Sequence, residues 1–210
     1  MDLKDRIVQT TTELFFENGI KGVTMDIIAE TMGMSKRTLY ENFADKNDLV
    51  NECFSYIIER HEFLDQEIQK KTSNTIEAML MFYMTGVTSM RKCNKNFISD
   101  LKKYHPQVFK QLEEHREQTF CEKVIIALDK GIIEGLIRPE INTEILAIVL
   151  KKQMYILEAE NSELRKFNLT EIYDTIFMGF ARGIVTLKGL KVIDDFIEKN
   201  NKDKKIFNVN

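Results

Sequence analysis

Proline, glycine, tryptophan and cysteine are all scarce in this sequence of 210 residues. It contains two prolines, nine glycines, three cysteines and no tryptophan. So few helix-breaking residues exclude collagen-like and linker-rich chains and favour an α-helical protein. The cysteines, Cys53, Cys93 and Cys121, are widely spaced and odd in number, which argues against a disulfide framework or a zinc motif. They are typical of a reducing cytoplasm.

Long apolar segments and an excess of positive charge are also missing. Apolar runs stay far below the roughly 20 residues that a membrane span needs, and the polar N-terminus does not resemble a signal peptide. The formal net charge is −3, so bulk charge gives no support to nucleic-acid binding, which has to rest on local placement. No phosphate loop, metal motif or catalytic constellation is found. We therefore expect a protein that is not an enzyme and needs no cofactor or metal.

What the sequence does contain is helical periodicity along nearly its whole length. Apolar residues make up 43% of the chain, enough for a sizeable core. Apolar side chains recur at helical spacing, and periodic segments are preceded by the candidate caps Thr24, Ser35, Asp45, Asn142 and Asn168. An all-α fold is predicted, with helices over 3–18, 25 to about 32, 35 to about 44, 46–69, 72–90 and 96–104, one beginning at Pro106, and others over 115–134, 143–159 and 169–188.

The most informative stretch covers residues 25–44. Ala29 is small enough for a second helix to cross closely over the first. Gly33, four residues later, supplies a left-handed turn. Leu39, six residues further on, fills the angle between the two helices. This spacing predicts a helix-turn-helix, whose second helix can enter the major groove of DNA.

Residues flanking this motif make it more specific. Together they resemble the DNA-binding domain of the TetR family of bacterial transcriptional regulators: Thr24, Ile28, Ala29, Gly33, Met34, Ser35, Lys36, Thr38, Leu39, Tyr40, Phe43, Lys46 and Leu49. The resemblance implies an N-terminal three-helix DNA-binding domain over 1–48. It also implies a helical effector-binding and dimerisation domain over 49–210. Such proteins bind palindromic operator DNA as homodimers.

The resemblance also implies roles for individual residues. Ser35, Lys36, Arg37 and Thr38 would open the recognition helix and face the groove. Tyr40 would donate its hydroxyl to a phosphate, and Thr24 and Lys46 would bind backbone phosphates. The last two roles also make physical sense, because helix N-termini present free N–H groups to anions.

Methionine and aromatic residues are concentrated in residues 79–90, and Phe97, Phe109, Phe120, Met154 and Met178 add to them. Flexible thioethers and aromatic rings can line an adaptable apolar cavity, or they can simply fill a core. Sequence does not separate these alternatives. As a group they suggest a small apolar or aromatic effector, with candidate pocket residues Met79, Phe82, Tyr83, Met84, Phe97, Phe120 and Met154.

A stripe with two glycines lies on the predicted helix 169–188. Glycine inside a helix costs about 1 kcal/mol relative to alanine, which close approach of another helix would explain. That helix could belong to a second subunit or to the same chain. The resemblance favours a dimer interface formed by Ile172, Ile176, Gly179, Phe180, Gly183 and Leu187.

These observations favour a cytoplasmic homodimeric repressor that leaves its operator when a small molecule binds. The alternative is a DNA-binding helical protein that is controlled by a protein partner or has an architectural role. The alternative predicts no cavity of ligand size. Neither hypothesis involves a membrane.

Overall fold

The computed structural model describes residues 2–158 and 166–201, and within them it confirms the all-α prediction. A single isolated bridge, between Ile137 and Val185, is the only β-pairing in this part of the chain. No helix in the described ranges is long and apolar enough to cross a membrane. The helices are α1 Leu3–Asn18, α2 Met25–Thr31, α3 Lys36–Asn42, α4 Lys46–Lys71, α5 Thr75–Lys92, α6 Phe97–Tyr104, α7 Pro106–Ile133, α8 Thr143–Glu158, α9 Leu169–Ile184 and α10 Leu187–Asn201.

Short polar side chains set many of the helix starts. The Thr24 hydroxyl accepts from the Ile27 N–H at 3.3 Å, and the Ser35 hydroxyl accepts from the Thr38 N–H at 3.1 Å. Asn168 caps α9 in the same way, through the Glu171 N–H. Each bond satisfies a backbone donor that has no partner within its helix. The predicted caps at these positions are confirmed.

Two predicted helix boundaries are wrong. Residues 106–133 form the single helix α7 instead of two helices, since the segment contains no proline after its first residue. The predicted helix 169–188 ends at Ile184, because Val185 is extended and pairs with Ile137. Thr186 then accepts from the Gly189 N–H at 3.1 Å, and a separate helix, α10, begins at Leu187.

The chain divides into two compact units. The first unit comprises Met1–Asp65 with Lys92–Arg116, and the second comprises Gln66–Arg91 with Glu117–Asn210. These units group residues differently from the predicted division at residue 48. The assignment of DNA binding to 1–48 and of effector binding to 49–210 stays a prediction.

The first unit is built around α1 and includes two segments distant in sequence. The Phe97 ring, from α6, stacks with Phe16 of α1 and Phe54 of α4 at centroid distances of 4.8 and 5.8 Å. Asn94, just before α6, donates its backbone N–H to the Phe16 carbonyl at 2.5 Å and its amide to the Glu17 carbonyl at 3.3 Å. The end of α1 is therefore capped by a segment almost eighty residues away.

The second unit has its own apolar core, formed mainly by α5, α7, α9 and α10. The start of α10 packs tightly against the backbone at Leu136. A side chain on Gly189 would collide with the Leu136 carbonyl oxygen and the Val185 Cβ. The same carbonyl accepts from the Thr186 N–H at 3.0 Å, so the contact fixes the start of α10 against the segment that follows α7.

Candidate nucleic-acid interface

The turn between α2 and α3 has a defined hydrogen-bond pattern. The Met34 N–H donates to the Ala29 carbonyl at 2.9 Å, and the Gly33 N–H donates to the Glu30 carbonyl at 3.0 Å. Gly33 has a φ of 63°, which favours glycine because a side chain would be strained there. This Schellman motif ends α2 abruptly and redirects the chain into α3.

Leu39 attaches α3 to the rest of the first unit. Its side chain is fully buried in a core that also includes Ile28, Ala29 and Phe43. Ala29 is 3% exposed, so its small side chain lies inside the junction of the two helices. The predicted helix-turn-helix geometry is present, with α3 held by one face.

The opposite face of α3 is polar and open to solvent. Lys36, Arg37 and Tyr40 are exposed, and Tyr40 retains 50% of its accessible surface. The Ser35 and Thr38 hydroxyls at the start of the helix lie 2.9 Å apart. The structure therefore brings five of the predicted DNA-binding residues together on one surface.

Both basic side chains of α3 are held by surface ion pairs. The Lys36 ammonium lies 2.6 Å from the Asp26 carboxylate of α2, and Arg37 Nε lies 2.9 Å from the Glu41 carboxylate. The Arg37 side chain is 88% exposed. Exposed pairs of this kind contribute only about 0–1 kcal/mol, so a DNA base or phosphate can replace the carboxylate at little cost.

Thr24 and Lys46 flank this surface in different ways. Thr24 is exposed at the N-terminus of α2. Lys46 is half-buried: its ammonium donates to the Ile20 carbonyl at 2.5 Å and lies 5.8 Å from the centre of the Phe15 ring. Burial lowers the pKa of Lys46, against an opposing effect of Asp100. Lys46 thus ties α4 to the α1–α2 loop, and its contact with phosphate stays a prediction.

The predicted effector residues do not all lie together. Phe97 belongs to the core of the first unit, stacked between Phe16 and Phe54, because α6 packs there. Met79, Phe82, Tyr83, Met84 and Phe120 lie in the second unit, together with Met154, whose side chain is outside the described part. Tyr83 and Met84 are buried in a small apolar cluster with Val87, and Met79 packs against the core of the second unit.

Tyr83 makes the most specific contacts of this group. Its ring stacks on Phe177 of α9, with centroids 3.9 Å apart and planes 7° apart. Its hydroxyl donates to the Asp174 carboxylate. Phe82, the next residue back, is 48% exposed. A cavity of about 240 Å³ lies along α5, lined by Met81, Met84, Thr85, Thr88 and Ser89.

The predicted dimer stripe is divided between two helices. Leu187 lies in α10 and is 87% exposed, while the other five residues lie in α9. Ile172 is buried, and Ile176 and Phe180 are partly buried. Gly179 and Gly183 are exposed, and apart from neighbouring residues and backbone of α9 itself, no described atom lies within 4 Å of where a Cβ would stand. Within the described ranges, no neighbouring helix approaches the two glycines.

The acidic partners of the recognition helix, Asp26 and Glu41, were not predicted from the sequence. The i, i+4 spacing of Arg37 and Glu41 was a usable signal for one of them. A cleft beside His105, with Asn51 and Tyr104 also in its lining, was not predicted either. The sequence carried no local signal for that cleft, since its walls come from α4 and from the α6–α7 junction.

Comparison with known proteins supports the same interpretation. A family model described as bacterial regulatory proteins of the tetR family matches residues 7–53, which cover α1 to the first part of α4. The HTH-type transcriptional regulator YhgD of Bacillus subtilis is 23% identical over 161 residues, covering 72% of this chain and 80% of that protein. IcaR of Staphylococcus aureus, a negative transcriptional regulator of the biofilm operon icaADBC, is 26% identical over 120 residues, covering 55% of this chain and 56% of IcaR.

Solved structures share the fold. A TetR-family transcriptional regulator from Agrobacterium tumefaciens superposes with a TM-score of 0.68 at 15% sequence identity, covering 87% of this chain and 97% of that one. At this identity the likeness concerns the fold. Because the superposition covers 87% of this chain, the shared fold extends beyond α4.

Proposed function

Because this chain belongs to the TetR family of bacterial transcriptional regulators, we propose that it is a cytoplasmic homodimeric repressor that binds a palindromic operator through α3. A small apolar or aromatic effector would release it from DNA. IcaR is described as a negative transcriptional regulator, which supports repression of transcription by this chain. The single observation that carries the proposal is the exposed polar face of α3, held by buried Leu39.

The proposed contacts follow from the placement of the side chains. Lys36 and Arg37 lie in the first turn of α3, the part of a recognition helix that meets base edges. Tyr40, one turn further along, reaches a phosphate with its hydroxyl. Thr24 and Lys46 add phosphate contacts at the starts of α2 and α4, while Ser35, which caps α3, and Thr38 face the groove. Selection of bound duplexes from a random DNA pool tests this proposal, since it should recover a palindrome.

Lys36→Ala or Arg37→Ala should relax specificity at one definable operator position. A bidentate contact to guanine contributes about 1–3 kcal/mol of discrimination between bases. The ion pairs that Lys36 and Arg37 form with Asp26 and Glu41 in the free protein contribute little to stability. Competition binding with operators substituted at single base pairs measures the effect.

Arg60→Ala is the matched control for this experiment. Arg60 is an exposed arginine of α4 in the same unit, and its contact is with the Tyr56 hydroxyl. The Arg60→Ala variant should keep the base preference of the wild type. Uniform weakening on all sequences by both α3 variants would mean that α3 contacts only phosphates and reads only DNA shape.

The exposed glycines of α9 support the proposed dimer. Gly183→Leu should break the dimer, because the new side chain would separate helices that Gly179 and Gly183 allow to approach. Analytical ultracentrifugation should then show monomer or aggregate, and operator affinity should fall. Gly86→Leu is the control, since Gly86 lies on α5 and also has open space around it. If the Gly183→Leu protein still forms a dimer and binds DNA with normal affinity, this face is not part of the interface.

Release by an effector requires different affinities in two states. A ligand that fits the second unit better in the DNA-free arrangement lowers operator affinity by the ratio of its two binding constants. Met79, Met84 and the Tyr83–Phe177 stack support an apolar or aromatic ligand, because thioethers and rings adapt to shape without polar matching.

An apolar aromatic ligand should raise the melting temperature, because it binds the folded state, and should release operator DNA. Thermal shift and DNA-binding assays across a panel of such compounds measure both effects. The alternative, control by a protein partner, is favoured by the modest cavity along α5, about 240 Å³ against the roughly 300–1,000 Å³ of usual ligand pockets. A panel that gives neither effect would support that alternative.

A further inference from the structure

His105 lies in the first unit, at the junction where α6 ends and α7 begins. Its backbone is bonded to both helices: its N–H donates to the Leu101 carbonyl at 2.9 Å, and its carbonyl accepts from the Phe109 N–H at 3.0 Å. The side chain is only 8% exposed. A group that ordinarily titrates near neutral pH is therefore buried at a helix junction, and none of the roles proposed above uses it.

The hydrogen bonding of the His105 ring favours its neutral form. The Nδ1 atom is buried and has no hydrogen-bond partner among the described residues. In a charged imidazole both nitrogens carry hydrogen, so Nδ1 would then be a charged donor without an acceptor. A buried donor that stays unsatisfied is costly, and more so when it is charged. Protonation is therefore incompatible with the position that the ring occupies.

The charged groups around the ring come from α4, from the residue before it and from α6. Burial and then the Lys46 charge lower the pKa of His105, while Asp100 and Asp45 raise it. Both carboxylates already accept backbone N–H groups. The C-terminus of α6 and the N-terminus of α7 meet at this residue, and their dipoles oppose each other. The net effect lowers the pKa, so the folded chain keeps the ring neutral at a pH where a free histidine is charged.

A cleft of about 270 Å³ lies next to His105. One wall is the start of α4, and the other is the α6–α7 junction. Because His105 itself belongs to the lining, rotation about its side-chain bonds can carry the ring from the core towards water. The lining residues are Asn47, Asn51, Tyr104, His105, Pro106, Gln107 and Val108.

We propose that His105 is a pH-sensitive switch at the α6–α7 junction. The neutral ring stays packed in the first unit and holds the junction beside the start of α4. Protonation drives the ring into the cleft, where water hydrates the charge, and the junction loosens.

The direction of the pH dependence follows from proton binding. Below the ordinary histidine pKa of 6.5, the unfolded chain binds more protons than the folded chain, because folding lowers the pKa of His105. The packed ring therefore contributes its full stability above that pH. This contribution is lost as the pH falls through 6.5 towards the lower pKa of the folded state.

The switch affects DNA binding through Lys46, the first residue of α4. Its ammonium donates to the Ile20 carbonyl and so ties α4 to the loop before α2. Loosening of the junction beside α4 should weaken this tie and lower operator affinity in acid. This consequence rests on the proposed function, whereas the titration of the ring and its effect on stability do not.

The first test is NMR of the full-length protein without DNA, across a pH titration. The His105 ring signal, assigned by its loss in His105→Gln, should titrate below the ordinary value of about 6.5. Methyl signals of Leu101 and Val108, which are buried in the core of the first unit, should shift together with the ring. Those of Leu128, in the core of the second unit, should not follow it. A His105 ring that titrates at or above the ordinary value would overturn the proposal.

Urea unfolding, followed by the Leu101 methyl signals, measures the loss of stability. The wild-type midpoint should be lower at about pH 5.5 than at about pH 7.5, on either side of the ordinary histidine pKa. His105→Gln should remove most of this difference, because glutamine stays neutral. His105→Phe is a second variant that does not titrate, and it replaces His105→Gln if that protein does not fold.

His61→Gln is the matched control, since His61 is an exposed histidine of α4 in the same unit. It should keep the pH dependence of the wild type. The same pH dependence in the wild type and in the His105 variants would overturn the proposal.

Operator affinity, measured at both pH values, forms a separate arm. It should fall with pH more steeply in the wild type than in His105→Gln. A ring that titrates as expected while operator affinity stays constant would contradict the coupling through Lys46. Absence of operator binding at every pH would count against the repressor proposal alone, because the NMR and urea measurements contain no DNA.

Discussion

Leu39→Ala should destabilise the first unit by about 2–5 kcal/mol and abolish operator binding. The leucine is fully buried in the core that holds α3, so its truncation removes apolar contacts and leaves a cavity. Because Leu39 fixes the orientation of α3, the exposed face that carries Lys36 and Arg37 loses its position as well. Urea unfolding followed by circular dichroism, with DNA binding measured by fluorescence anisotropy, tests both effects.

Leu3→Ala is the control for this loss. Leu3 lies in α1 of the same unit and is 41% exposed, so the same truncation should cost less than about 1 kcal/mol. Equal stability of the Leu39→Ala protein and the wild type would show that other contacts hold α3.

Gly189→Ala should destabilise the second unit by about 1–3 kcal/mol, although alanine normally favours a helix. The added methyl group would meet the Leu136 carbonyl oxygen, a backbone atom that cannot move without breaking its bond to the Thr186 N–H. Thermal and urea unfolding of the full chain measure the change.

Gly86→Ala should change stability in the opposite direction. Gly86 is also helical, but no described atom outside its chain neighbours and the nearby α5 backbone lies within 4 Å of its Cβ position. The helix preference of alanine should therefore add up to about 1 kcal/mol. Two glycine-to-alanine changes of opposite sign would establish that packing against Leu136, and not helix propensity, decides the result at Gly189. The same sign for both would contradict this explanation.

Features that depend on neighbouring residues could be predicted from the sequence. The caps at Thr24, Ser35 and Asn168 and the turn at Gly33 arise from hydrogen bonds and backbone angles within a few residues. The helix-turn-helix and its polar face followed from the same local signals. Pro106 also predicted the start of α7 correctly, because proline favours the first position of a helix.

Features that depend on distant contacts could not be predicted. The break after Ile184 depends on the pairing of Val185 with Ile137, a residue almost fifty positions earlier in the chain. Phe97 was grouped with the effector residues, yet its ring fills the core of the first unit beside Phe16. The cleft at His105 likewise needs α4 and the α6–α7 junction side by side.

The capping of α1 by Asn94 affects the order in which the protein can be assembled during synthesis. The ribosome releases α1, α2, α3 and α4 long before it releases α6, but the Phe16 and Glu17 carbonyls and the Phe54 ring must wait for Asn94 and Phe97. Closing so long a loop costs conformational entropy that only the finished contacts repay. The nascent helix-turn-helix therefore leaves the exit tunnel with an incomplete core, and it reaches full stability only after the chain has been extended through the start of α7.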